Sequence, residues 1–391
     1  MSIRKQLAVM IWPVAAAAMM VAGSAGAQDK EEIVIGASVP MTGPFAFAGI
    51  QFNRGINDYV EWVNSQGGIR GRQVRYIGED TGYDADQSVA VFRRITSSED
   101  VTFYFGDSTA FQQSIEPELE RRDILMTGAS FASEINNPEE YPMQFLLGPD
   151  YGEQVGILLE YIADENPGAS VAFIHSDTEF GRDPIEGGKK MAEDLGLEVA
   201  TTIVTPPGSA DVSAAALELR RARPDYAIMH GYVLSPIPAF IEQARQMRLD
   251  TRFMGTIYTM EQGIIDQMGE TAEGFLGVMP YRYYYDENAD EAPLLQTIRE
   301  MHDEYQATTY TQGWVAGILM QRIAEHTLDA GRELNGTNMR KSIEEMENID
   351  TGGLIGKKFS FSGNSIPVGR IYRADVSEGR MVPVSDWIEL D

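Results

Sequence analysis

Not one cysteine occurs among the 391 residues. No disulfide can brace the fold, no thioether lipid can anchor it, and thiol chemistry drops out of any catalytic scheme. Positive charge is scarce as well, with 31 Lys and Arg against 59 Asp and Glu. That balance excludes nucleic acid as a partner, because phosphate neutralisation needs a basic surface. Apolar runs long enough to span a bilayer are also missing. The nearest to one runs from Leu7 to Ala22 and is interrupted by Pro13. Arg4 and Lys5 precede it and Ala25, Gly26 and Ala27 follow it, which is the three-part layout of a secretory leader, with cleavage expected after Ala27. The mature chain is then expected free in the periplasm. It keeps 29 basic and 59 acidic residues, a net charge of about −30.

The motifs of the commonest α/β enzymes are absent too. There is no G-x-G-x-x-G after a strand, no P-loop Lys-Ser/Thr and no nucleophile elbow. The four histidines, His175, His230, His302 and His326, are never paired at metal-ligand spacing. No catalytic residue, no metal and no cofactor is expected. His302 and His326 fall on helical segments and are expected to face solvent, whereas His175 and His230 end strands, where a ligand-facing and a structural position are both open.

What is present is alternation. Short β-rich runs at 33–39, 74–79, 101–106 and 124–127 are separated by amphipathic segments; in the first of these Phe52, Ile56, Val60 and Val63 recur at helical spacing. After Gly148-Pro149-Asp150 the pattern restarts, with a helix over 151–165 and strands at 171–175, 199–204, 226–229, 252–255 and 274–279. Helices follow at 291–305, 311–330 and 336–347, then short strands between 358 and 387 around Ser377-Glu378-Gly379. Apolar strands joined by crossover helices imply parallel sheets covered on both faces. Two such series predict an α/β fold of two doubly wound parallel-sheet lobes.

In open parallel sheets, ligands bind beyond the carboxyl ends of the strands. Those ends are rich in aromatics: the six residues Phe45, Phe47, Phe131, Phe180, Tyr232 and Tyr258 lie at five of them, which predicts a shared apolar crevice. Ser108, Thr109, Ala129 and Ser130 follow the third and fourth strands, where hydroxyls and backbone N–H groups can hold a carboxylate or amide, or simply cap a helix.

Several motifs carry a resemblance to a known family. These are Ile35-Gly36-Ala37 through Thr42-Gly43-Pro44, the NSQGGIRG segment from Asn64 to Gly71, and DADQSVAV from Asp84 to Val91. Phe180-Gly181, Gln243-Ala244-Arg245 before Phe253-Met254-Gly255, and Ala272-Glu273-Gly274 follow in order. From about Ile33 to the C-terminus the chain resembles the type I periplasmic solute-binding proteins of branched-chain amino acid ABC transporters. The resemblance implies a Venus-flytrap of two lobes joined by three crossovers. Lobe one would take 28–149 plus 281–353 and lobe two 150–280 plus 354–391. It further implies a monomer that captures a small organic ligand and delivers it to a membrane permease. A separate-partner sensor, and more distantly a hydrolase, are the alternatives.

By the same resemblance the ligand carboxylate is held from the 108–110 and 129–131 loops, a ligand-facing tyrosine is replaced by Phe180, and another maps to Tyr310. Two positions depart from the family pattern. The serine expected in the third-strand loop is Ala110, and the acid that meets a ligand ammonium is Ile257. The expected ligand is therefore a carboxylate or amide without an ammonium, unless Asp107 or Glu179 supplies the acid from another direction.

Overall fold

A computed structural model describes residues 32–206, 208–286 and 291–390. The leader read at 1–27 lies outside the described residues. The first sheet contains β1 (Ile33–Val39), β2 (Val74–Asp80), β3 (Phe103–Gly106) and β4 (Leu125–Gly128), in the order β2-β1-β3-β4, all parallel. β1 is buried along its whole length because it runs between two neighbours and under helices on both faces, which explains its unbroken apolar sequence. Crossovers are supplied by α1 (Ala46–Ser65), α2 (Ala85–Ser98) and α3 (Thr109–Arg122).

The second sheet is larger. α4 (Tyr151–Glu165) leads into β5 (Ser170–Ser176), α5 (Glu179–Arg182), α6 (Ile185–Asp194), β6 (Glu198–Thr205), α7 (Ser213–Ala222), β7 (Tyr226–His230), α8 (Ile237–Gln246), β8 (Arg252–Gly255), α9 (Gly263–Met268) and β9 (Leu276–Met279). β6, β5, β7, β8 and β9 are parallel. The chain then forms α10 (Pro293–Met301), α11 (Thr308–Asp329) and α12 (Gly336–Glu345) before β10 (Val368–Asp375), β11 (Arg380–Pro383) and β12 (Ile388–Glu389). β10 joins the edge of the second sheet antiparallel to β9, and β11 pairs antiparallel with β10. The parallel strands expected of both sheets are present, and β10 and β11 add an antiparallel flank to the second. A turn as short as Ser377-Glu378-Gly379 can only return the chain antiparallel, and Gly379 supplies the left-handed residue it needs, at φ 65°.

α11 returns to the first sheet and lies against α1. The two backbones approach closely at glycines: a Cβ on Gly55 would stand 2.1 Å from the Tyr310 carbonyl oxygen, and one on Gly313 would stand 2.7 Å from Ile56 N and Phe52 O. Around this contact pack Phe52, Ile56, Tyr59, Val63 and Trp314, with Tyr59 edge-on to Trp314. The crossing fixes where the first turns of α11 sit, and those turns reach the site described next.

Candidate functional site

Loops at the C-terminal ends of both sheets line one cavity. From the first sheet come Val39 at the end of β1 and Pro40 after it, Tyr83 after β2, Asp107 and Ser108 after β3, and Ala129 and Ser130 after β4. The second sheet supplies Phe180 after β5, Val233 after β7 and Tyr258 after β8. Helix starts complete the wall, with Phe45, Ala48 and Gly49 at α1, Thr109 at α3, Tyr151 at α4, and Thr309 and Gln312 at α11. The space inside is about 50 Å³, on a measure in which one water needs about 10–15 Å³. It suits a compact solute.

One end of the cavity is polar and rich in donors. Ser108 caps α3 by accepting from Phe111 N at 3.3 Å. The N–H groups of Thr109 and Ala110 then lie in the first turn of the helix, where no intrahelical acceptor exists. Thr109 Oγ1 and Ser130 Oγ are 2.8 Å apart, and Ser130 Oγ also accepts from Ala132 N. Whichever hydroxyl donates across that pair, one hydroxyl proton remains to be given elsewhere. In the same wall Thr309, only 4% exposed, has an Oγ1 with no hydrogen-bond partner in the protein. Unpaired N–H groups at a helix start together with free hydroxyls form a cradle for an anion.

The other end is aromatic. Phe45 packs on Tyr83 with centroids 4.3 Å apart and on Phe180 at 6.4 Å; Phe180 lies 5.0 Å from Tyr151 and edge-on to Tyr258 at 5.7 Å. A capping box between Asp150 and Glu153 starts α4 and so places Tyr151. Thr178 caps α5 and places Phe180. His230 ties these loops together: its Nε2–H donates to the Phe180 carbonyl at 2.8 Å, and its Nδ1 accepts from the Thr256 hydroxyl at 2.7 Å. Complete burial pushes the imidazole down to about 3, so it is neutral. Of the two roles left open for His230, it holds the structural one.

Two acceptors in the wall, the Asp107 carboxylate and the Ala129 carbonyl, are already engaged. The Asp107 carboxylate receives the hydroxyls of Thr81 and Ser88; burial raises its pKa, and those hydroxyls with Ser108 oppose the rise. The Ala129 carbonyl accepts from Tyr258 Oη at 2.6 Å, and Tyr151 Oη stands 3.5 Å away. Glu179 is half exposed, pairs with Arg182 and is not part of the wall. Ile257 is buried, with its N–H bonded to Gln154 Oε1.

Of the residues expected from sequence, Phe45, Ser108, Thr109, Ala129, Ser130, Phe180 and Tyr258 come together in this wall. Four others lie outside it. Phe47 is 40% exposed, because α1 begins at Ala46 and its turn carries the side chain away from Phe45. Phe131 lies one layer behind, packed on Tyr151 and Tyr258. Tyr232 is buried with its hydroxyl on Thr205, at 2.8 Å. Tyr310, inside the first turn of α11, donates to Asp58 Oδ2 at 2.8 Å and accepts from Trp314 Nε1. His302 corrects its expectation as well: its side chain is 17% exposed, with Nε2 2.7 Å from Asp58. Sequence reasoning missed Tyr83, Tyr151, Thr309 and Gln312. The capping box beside Tyr151 was a usable signal; for Thr309 and Gln312, brought in from a distant helix, there was none. Among the described residues no group of three or more His, Cys, Asp or Glu is placed to hold a metal, and no helix is long and apolar enough to cross a membrane.

Comparison with known proteins agrees with this architecture. A family model for periplasmic binding proteins matches residues 32–380. The leucine-, isoleucine-, valine-, threonine-, and alanine-binding protein of Pseudomonas aeruginosa is 28% identical over 274 residues, 69% of this chain and 72% of that one. A branched-chain amino acid ABC transporter structure from Thermus thermophilus with bound valine superposes with a TM-score of 0.83 at 23% identity, covering 93% of this chain and 97% of the other. An ABC transporter solute-binding protein from Rhodopseudomonas palustris in complex with 3,4-dihydroxybenzoic acid gives 0.76 at 17% identity, covering 92% and 97%.

Proposed function

This chain belongs to the periplasmic binding protein family, and from that premise we propose that it is the extracytoplasmic solute-binding component of an ABC importer. It captures a small organic carboxylate, aromatic or aliphatic and without an ammonium group, between its two lobes and hands it unchanged to a membrane permease. Residues 28–149 with 281–353 form one lobe and 150–280 with 354–391 the other; the return of α11 to α1 and of β10 to β9 supports that division.

One observation carries the ligand class. Donors in the cavity are left over, at the start of α3, in the Thr109–Ser130 pair and at Thr309, while the Asp107 and Ala129 acceptors are taken. A carboxylate supplies acceptors and needs donors, whereas a buried ammonium needs acceptors and costs several kcal/mol without them. Phe45, Tyr83, Tyr151 and Phe180 receive the apolar remainder. Among similar proteins, one is named for five amino acids and another holds 3,4-dihydroxybenzoic acid, so this fold serves ligands with and without an ammonium.

The test is small-angle scattering on protein stripped of bound small molecules, before and after those molecules are identified and added back. Compaction on binding and recovery of the same compound support a carrier. Identical profiles, or a chemically altered compound, contradict it.

A further inference from the structure

We infer that Tyr258 sets the specificity of this cavity, by placing its own hydroxyl on the main-chain acceptor that an ammonium-bearing ligand would need. The inference rests on the carboxylate reading above and names the residue that enforces it.

Tyr258 belongs to the short 3₁₀ turn after β8, in the second sheet's half of the cavity, whereas Ala129 follows β4 in the first. Its Oη lies 2.6 Å from the Ala129 carbonyl oxygen and accepts from Gln312 Nε2 at 2.9 Å. With the amide donating to Oη, the phenolic proton goes to the carbonyl. The ring is held edge-on by Phe180 and packed by Phe131, so the hydroxyl is aimed by two aromatic contacts and two hydrogen bonds. Burial pushes its ionisation far upward, and it stays a donor.

An ammonium entering the cavity brings three N–H donors. The Ala129 carbonyl is the neutral acceptor on the wall nearest the carboxylate cradle in sequence, one residue before Ser130, and Tyr258 holds it. The residue before Tyr258 offers no replacement, since Ile257 is apolar and buried. Tyr258 thus performs within the protein the donation that an ammonium would otherwise make, and with Tyr151 Oη 3.5 Å away both lone pairs of the carbonyl already face a hydroxyl.

The experiment compares wild type with Tyr258→Phe, which keeps the ring, using two matched pairs at one pH and salt: phenylalanine with 3-phenylpropanoate, and leucine with 4-methylpentanoate. Wild type binds each acid more tightly than its amino acid. In Tyr258→Phe the carbonyl keeps only the long contact from Tyr151 Oη, acid binding weakens, and the acid-to-amino-acid affinity ratio moves toward the amino acid by about tenfold, the effect of one buried polar group losing its main partner. Melting curves confirm that the variant is folded. An acid-to-amino-acid ratio unchanged within a factor of two overturns the role of Tyr258 and leaves the carboxylate reading standing. Amino acids binding more tightly than acids to wild type, or neither member of either pair binding, overturns the carboxylate reading and this inference with it.

Discussion

Replacing Thr309 by valine should make the protein more stable and a weaker binder, two effects that a purely structural threonine cannot produce together. Thr309 is 4% exposed, lines the cavity and carries an Oγ1 without a partner in the protein. A buried polar group left unmade costs about 1–3 kcal/mol, and valine keeps the shape while removing it. Helix propensity changes little between the two residues, so a gain of about 1 kcal/mol is expected from urea unfolding of the stripped protein. Binding loses a donor to a charged ligand, worth about 1.5–3 kcal/mol, or roughly 10- to 150-fold in Kd. Calorimetry with the compound eluted from wild type reads the second effect and the urea midpoint reads the first. A destabilised variant of unchanged affinity would refute the reasoning.

Two further outcomes follow from the packing and the buried imidazole. Gly313→Ala places a Cβ 2.7 Å from the backbone of α1 and should cost about 1–3 kcal/mol, with weaker binding as Thr309 and Gln312 shift; Gly187→Ala, whose Cβ meets nothing within 4 Å, should stabilise its helix by up to about 1 kcal/mol. Equal effects in urea titrations of the two variants would contradict the close helix crossing. His230, held at about 3 when folded and near 6.5 when unfolded, binds a proton more readily in the unfolded chain between those values. Its contribution to stability is complete above about pH 6.5 and is lost as pH falls toward 3, by about 2 kcal/mol at pH 5. Unfolding at pH 7.5 and pH 5 should show that extra loss in wild type and not in His230→Gln, and equal losses would count against it.

The alternation of strands and helices was legible because each parallel strand is buried on both faces; the run from Ile33 to Val39 reads as a strand for the reason that it becomes one. The direction of β10 was not legible, since a strand of either direction has the same composition, and only the pairing with β9 decides. Within the site, Ser108, Thr109 and Ser130 follow strand ends and lie in the cavity wall, because a parallel sheet delivers all its C-terminal ends to one side. The aromatic in the first loop was ambiguous: Phe45 and Phe47 are two residues apart, and the start of α1 between them turns one inward and the other out. His302 was misplaced because its partner Asp58 is 244 residues away, a distance across which no local pattern speaks.

The central claim is that a carboxylate without an ammonium lies between the start of α3 and Thr309, and a crystal structure of the protein purified with its bound solute tests it most directly. The account predicts carboxylate oxygens within about 3 Å of the N–H groups of Thr109 and Ala110, a hydrogen bond from Thr309 Oγ1, an intact Tyr258–Ala129 bond, and an apolar body against Phe45 and Phe180. Density for an amino acid whose ammonium meets Asp107 or the Ala129 carbonyl, with the Tyr258 hydroxyl displaced, would contradict it.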